Sequence, residues 1–231
     1  MLHIDVITLF PDFFLSPLQE SIVGKAIAQQ KVAVAVHHLR SFGLGKHQLT
    51  DDRPYGGGPG MVMLVEPIDL ALQKLDYHKG TSQEVIALTS AKGPLYTQST
   101  ARDWAQLKRL CLICGHYEGV DERVAQHLVD TEIRIGDYVL TGGEPAASVI
   151  MDSVIRLQPS VVGNEASLQD ESHDQPGKMS NPQYSRPENY QGWQVPSVLL
   201  SGNHQDIAKW RAEKSKQAST DFAVNTSRLE D

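Results

Sequence analysis

The chain has 231 residues, 40% of them hydrophobic, and carries a formal net charge of −7. That is room for one large domain, or one domain with an appendage, and enough apolar mass for a real core. It excludes a general nucleic-acid coat but not a local basic face, and no apolar run approaches the length that spans a bilayer.

Residues 1–10 read as a buried strand. Asp5 sits inside the apolar run and no basic leader precedes it, so a signal peptide is not expected. With only two cysteines in the chain, a reducing, cytoplasmic setting is expected. Residues 17–30 are predicted to form a helix, with Leu18, Ile22 and Ala26 at four-residue spacing. A strand over 32–39 follows, and then a long polar loop that ends in DDRPYGGGPGM at 51–61. The glycine spacing is wrong for a dinucleotide fingerprint. A loop of this length is either mobile or pressed against a ligand or partner.

Residues 66–75 read as a helix and 84–89 as a strand, which exits into SAKGP at 90–94. Thr97 is placed to cap a helix that runs past Trp104. A strand over 110–114 exits into GHYEGVDER at 115–123. The spacing of Cys111 and Cys114 admits a redox or zinc reading. On a strand, however, residues three apart point to opposite faces, and there is no second pair to complete a four-thiolate site. A helix then leads to IGDYVLTGGEP at 135–145, and a helix over 144–157 sets Ile150, Val154 and Leu157 on one face.

Strands alternating with helices predict an α/β fold with a largely parallel sheet covered on both faces. In such sheets ligands sit beyond the carboxyl ends of the strands. Three exits carry close-approach residues: 90–93, 115–119 and 136–143. If the three meet, they make one pocket, in which the amides of Ile135 to Leu140 would read the edges of an adenine. Taken singly, paired glycines ahead of a helix are as well explained by a plain tight turn.

Past residue 157 the chain turns polar and loses periodicity. We expect a domain over 1–160, a flexible linker over 161–192 that orders on binding, and a small helical domain over 193–231. Asn203 is placed to cap the last helix, which holds Ile207 and Trp210. Lys209, Arg211, Lys214 and Lys216 make that segment locally positive, as a solvated helix face also would. From about Ala218 no apolar face remains and fraying is expected.

Several blocks together resemble one family, the bacterial tRNA (guanine-N1-)-methyltransferases of the SPOUT superfamily. They are DDRPYGGGPGM (51–61), CGHYEGVDER (114–123), IGDYVLTGGE (135–144), YSRP (184–187) and VPSVLLSGNH (195–204), followed by Trp210 and Arg211. The resemblance implies a SPOUT domain tied in a trefoil knot near the cofactor. It also implies a small helical tRNA-binding domain at the C-terminus and a homodimer. The implied methyl donor is S-adenosyl-L-methionine, and the implied substrate is N1 of the guanine 3′ of the anticodon in tRNA, position 37. Mg²⁺ assistance is not readable from the residues, and no metal ligands are assigned.

Carried over by position, Gly115 and the run Ile135, Gly136, Asp137, Tyr138, Val139 and Leu140 hold the donor. Tyr117, Gly142, Gly143 and Pro145 neighbour it, and Ser90 and Gly93 close a third wall. Arg156 matches the family's active-site arginine; by residue type alone it reads as a helix-end surface residue. The family's catalytic aspartate falls in a departure from the pattern. Ungapped register puts Glu171 at that place, with Asp170 one residue early, and both are expected to be ionised near their ordinary values. The tail past Lys216 lacks the family's basic, proline-containing ending. Two other readings remain at this stage: a nucleotide-dependent α/β enzyme of ordinary doubly wound topology, which the absent G-x-G-x-x-G disfavours, and a non-catalytic RNA-binding module.

Overall fold

The computed structural model describes residues 1–163, 168 and 170–227. The expectations for 164–167, 169 and 228–231 therefore lie outside the described residues. The chain divides into two compact units, Met1–Gly163 and Asn164–Asp231.

The first unit is built on five parallel strands: β1 (Leu2–Thr8), β2 (Val32–His38), β5 (Glu84–Thr89), β6 (Arg109–Cys114) and β7 (Thr131–Ile133), in the order β2-β1-β6-β5-β7. Short β3 (Asp51–Asp52) and β4 (Val62–Met63) pair with each other in antiparallel fashion at the base of the glycine loop. Helices α1 (Leu15–Gln19), α2 (Ser21–Ala28), α3 (Val65–Lys74), α4 (Gln98–Ala105) and α5 (Glu144–Ile155) cover the sheet. One face packs Phe14, Ala26, Trp104, Ile150 and Val154 against the sheet, and the other packs Leu39, Ile68, Leu72 and Val124. A parallel sheet buried on both sides demands near-continuous apolar strands, and β6 is buried from Leu110 to Cys114. Cys111 belongs to one core and Cys114 to the other, as alternation along a strand requires. Both thiols are fully buried, and burial pushes each well above the ordinary cysteine range, so neither is poised for redox chemistry.

Two local expectations for the first unit differ from the structure. The helix expected over 17–30 is two helices, broken at Glu20, where the backbone is extended, and at Ser21, which takes φ +54°. The second helix folds back so closely that a Cβ on Gly24 would lie 2.3 Å from the carbonyl oxygen of Gln19. The helix expected ahead of residue 135 is a single wide π-type turn, Val124–Leu128, followed by β7. Thr97 does cap α4, accepting from the Thr100 N–H.

The second unit holds the hairpin β8 (Asn189–Tyr190) and β9 (Trp193–Gln194), the short helix α6 (Ser197–Leu200) and the long helix α7 (His204–Ser227). Asn203 caps α7: its Oδ1 accepts from the Gln205 N–H at 3.1 Å. The helix continues ten residues past the expected fraying point, through Ser227. Its later turns are fixed from outside the helix: Ser219 Oγ accepts from the Met179 N–H at 2.9 Å. Propensity and apolar periodicity miss such a hydroxyl contact.

Candidate active site

Thr89 pairs in register with Cys114 on β6 and with Ile133 on β7, so three strands end level. Their exits leave the same rim of the sheet and enclose a cavity of about 430 Å³, within the usual size for a cofactor site. Ser90, Gly115, Tyr117, Ile135, Gly136, Tyr138, Val139, Leu140, Gly142 and Gly143 all line it. Three assigned residues do not. Gly93 is packed beneath the rim, where a Cβ would lie 2.4 Å from the Ile133 nitrogen. Asp137 is turned outward and paired with Arg134 at 2.7 Å. Pro145 sits in the first turn of α5, where its missing N–H costs nothing.

The exits are stitched by backbone. Ser90 N–H donates to the Ile133 carbonyl at 2.9 Å, and Tyr96 N–H to the Arg134 carbonyl at 2.8 Å. Gly143 N–H donates to the Gly115 carbonyl at 2.8 Å, and His116 and Gly142 form an antiparallel bridge. Space is tightest at Gly143, whose added Cβ would lie 1.9 Å from Thr89 Oγ1. That hydroxyl is already engaged, donating to the Ile113 carbonyl and accepting from the Gly115 N–H, both at 3.1 Å. The result is a wall to which Gly115, Gly142 and Gly143 contribute main chain without side chains, suited to a ligand read by backbone amides and carbonyls.

Behind that wall lies a polar cluster that the sequence reading did not single out. Glu144, the first residue of α5, is only 4% exposed. Thr8, at the end of β1, donates to its Oε1 at 2.7 Å. The imidazole of His116 packs between Phe10 and Tyr117, with ring centroids 4.9 and 5.0 Å away, and its Nδ1 is buried without a hydrogen-bond partner. The signal for both residues was present in the quoted blocks, as the acid opening a helix after Gly-Gly and the histidine between Gly115 and Tyr117.

Tyr117 takes φ +61°. Burial first, and then the charge of Asp51, push its hydroxyl above the ordinary tyrosine range, partly offset by Arg40. The base of the glycine loop thus faces the pocket wall. Glu118 N–H also donates to the Met61 carbonyl at 3.0 Å, which ties the loop's far end to the same exit. Gly56, Gly57 and Gly58 all have positive φ and open space where a Cβ would point.

Arg156 is half-buried at the far end of α5, its N–H donating to the Asp152 carbonyl at 3.1 Å. The 12 residues of α5 separate it from the pocket floor, about 18 Å along the axis at 1.5 Å per residue. Asp170 and Glu171 belong to the second unit. Asp170, with φ +59°, has an 88% exposed side chain whose Oδ1 accepts from Lys178 Nζ at 2.7 Å. The ammonium holds that carboxyl below its ordinary value, rather than near it as expected. On α7, 100° per residue puts Lys209 and Lys216 on one face and Arg211 and Lys214 on another. Lys214 is half-buried and donates to Gln217 Oε1 at 3.1 Å.

Among the described residues no group of three or more His, Cys, Asp or Glu side chains is arranged to hold a metal ion, and no helix is long and apolar enough to cross a membrane.

A parallel α/β sheet with a glycine-walled cavity at the carboxyl ends of its strands defines a class: α/β proteins with a pocket where such sheets bind small ligands. The particular family follows from comparison. The model of the family described as tRNA (Guanine-1)-methyltransferase TrmD matches residues 2–225, and the chain belongs to that family. It is 47% identical over 214 residues to a tRNA (guanine-N(1)-)-methyltransferase of Dehalococcoides mccartyi, covering 93% of this chain and 86% of that one. It is 48% identical over 216 residues to the protein of the same name from Gloeobacter violaceus, covering 92% of each. The protein of that name from Brevibacillus brevis is 47% identical over 214 residues, 93% of this chain and 86% of that one.

Proposed function

We propose that the chain is a tRNA methyltransferase that moves a methyl group from S-adenosyl-L-methionine to N1 of the guanine 3′ of the anticodon. The observation that carries the reading is the level meeting of three strand exits in one cavity walled by Gly115, Gly142 and Gly143. The donor fits that wall in kind: Gly143 leaves no room for a Cβ, and the buried Nδ1 of His116 still lacks a partner. Main-chain groups from Ile135 to Leu140 would read the adenine edge, and Tyr138 and Leu140 supply apolar cover.

The donor supplies an electrophilic methyl group. The protein supplies position, a proton acceptor and a fixed cation. Guanine N1 is a poor nucleophile while it carries its proton, and a carboxylate of the Asp170–Glu171 pair accepts that proton. Negative charge then builds on O6, where the guanidinium of Arg156 stabilises it. Held by Gly115 and the run Ile135 to Leu140, the donor would give up its methyl group and its sulfur would retain the C–S electron pair.

Arg156 bears on assembly. An arginine side chain reaches well under the length of α5, so Arg156 does not serve the cavity of its own first unit. An Arg156 at work there comes from a second copy, which is the reading we adopt: a homodimer with active sites shared between protomers. Gly56, Gly57 and Gly58, which have open space where a Cβ would point, then meet the partner. We also read the backbone as knotted where 115–119 and 136–143 are joined, and the second unit as the tRNA-binding domain, with Lys209 and Lys216 facing phosphates. The enzyme is placed in the cytoplasm, where its substrate is made.

The test is substrate replacement. Unmodified tRNA with guanine 3′ of the anticodon accepts methyl groups from the donor, and the same tRNA with adenine there accepts none. Equal transfer to both would overturn the assignment.

A further inference from the structure

Two buried polar side chains, Glu144 and His116, stand beside the cavity wall. Glu144 is a buried acid whose Oε1 accepts from Thr8, and among the described residues no lysine or arginine is paired with it. Its second oxygen, Oε2, points at the turn that forms the cavity wall, 2.4 Å from where a Cβ on Gly142 would stand. His116 Nδ1, buried and unpartnered, lies 2.5 Å from the same point. Gly142 itself lines the cavity. Gly142, which has no side chain, therefore borders both the cavity and the Glu144 side chain. The N-terminus of α5 offsets part of the cost of burying this charge, about half a unit charge. As a carboxylate, Glu144 would carry a charge that no described lysine or arginine offsets, and its Oε2 faces Gly142 and His116.

The field of such a charge acts on the one property that changes when a methyl group leaves the donor. Before transfer the sulfur is a sulfonium with a full positive charge; after it, a neutral thioether. The adenosine, the amino group and the carboxylate of the two molecules are the same. We propose that Glu144 is the specificity-determining residue that makes this pocket prefer the charged donor over its spent product, acting through the bare backbone of Gly142. The inference rests on the reading of the cavity as the S-adenosylmethionine site. In the low-dielectric surroundings of α5 and β1 the attraction is weakly screened, and it vanishes when the sulfur loses its charge, so product gives way to fresh donor. Because the attraction favours the ground state of the sulfonium, it assists exchange and not the chemical step.

The experiment is calorimetric titration of the full-length protein with S-adenosylmethionine and with S-adenosylhomocysteine, in wild type and in Glu144→Gln. Glutamine keeps the acceptor for Thr8 and removes the charge. The donor should bind the variant about tenfold more weakly, while the product changes by less than about twofold. An equal loss for both ligands means that Glu144 only supports the fold, and overturns the proposal. Should the variant fail to fold, the wild type decides with sinefungin, whose ammonium replaces the sulfonium: it must bind more tightly than S-adenosylhomocysteine, and equal affinity overturns the proposal. If the wild type binds none of the three, the assignment of the pocket is what has failed.

Discussion

The N–H of Gly143 donates to the carbonyl of Gly115 at 2.8 Å, so the exit of β6 and the entry to α5 are joined through main chain alone. The contact is this close because neither residue carries a Cβ, and Thr89 fills the space a Cβ on Gly143 would need. Gly143→Ala should lower stability by about 1–3 kcal/mol by overpacking and reduce donor affinity, because Thr89 must leave its two backbone partners. Denaturant unfolding and donor titration check both. Gly142→Ala should be milder in stability, since the nearest atoms its Cβ would meet belong to the side chains of Glu144 and His116 and not to backbone.

Asp5 predicts a pH dependence of stability. Burial raises its pKa, but hydrogen bonds from His37 at 2.6 Å and Tyr77 at 2.8 Å, with the His3 charge, bring the net value below the ordinary 3.8. A depressed folded value stabilises the fold above the ordinary value, and that contribution is lost as pH falls through the folded one. Asp5→Asn should cost about 1–3 kcal/mol at neutral pH, with the gap to wild type closing below about pH 4. Urea midpoints across that window measure it, and a gap that stays constant down to pH 2 would contradict it.

Arg156→Ala should slow methyl transfer by about 10²–10³ with donor affinity unchanged, the effect of removing one charge-stabilising group. Mixing that variant with Gly143→Val should restore activity, because a mixed dimer holds one site with both an intact pocket and an intact arginine. No restoration after exchange of subunits would place both elements in one protomer.

For the proton acceptor, single-turnover rates of Asp170→Asn and Glu171→Gln on one tRNA should separate the pair, the true base losing about 10²–10⁴. The ion pair with Lys178 adds a second handle on Asp170. If Asp170 is the base, Lys178→Ala raises its pKa toward the ordinary value and strengthens it as an acceptor, so transfer at neutral pH speeds up. If Glu171 is the base, that substitution leaves the rate alone.

The parts of the fold legible in the sequence were those where one residue's chemistry is decisive within its own neighbourhood. Apolar runs gave β1, β5 and β6, Thr97 and Asn203 marked helix starts, and glycines marked the three exits. Arg156 and Glu144 show the limit. Their types and positions were visible, but Arg156's distance from the pocket follows from the cavity's lying at the other end of α5, and Glu144's burial involves Thr8, 136 residues away in the chain. The break at Glu20 and the wide turn at Val124 depend on how α2 and β7 dock, which no local pattern records. The alternation within β6 separated Cys111 from Cys114 correctly, because strand geometry is itself local.

The most direct measurement is transfer of labelled methyl from S-adenosylmethionine to unmodified tRNA, with the modified nucleoside isolated and its position mapped. The account predicts 1-methylguanosine at the base 3′ of the anticodon. Methyl on another base, another ring atom or the ribose, or no transfer by a protein that binds the donor, would contradict it.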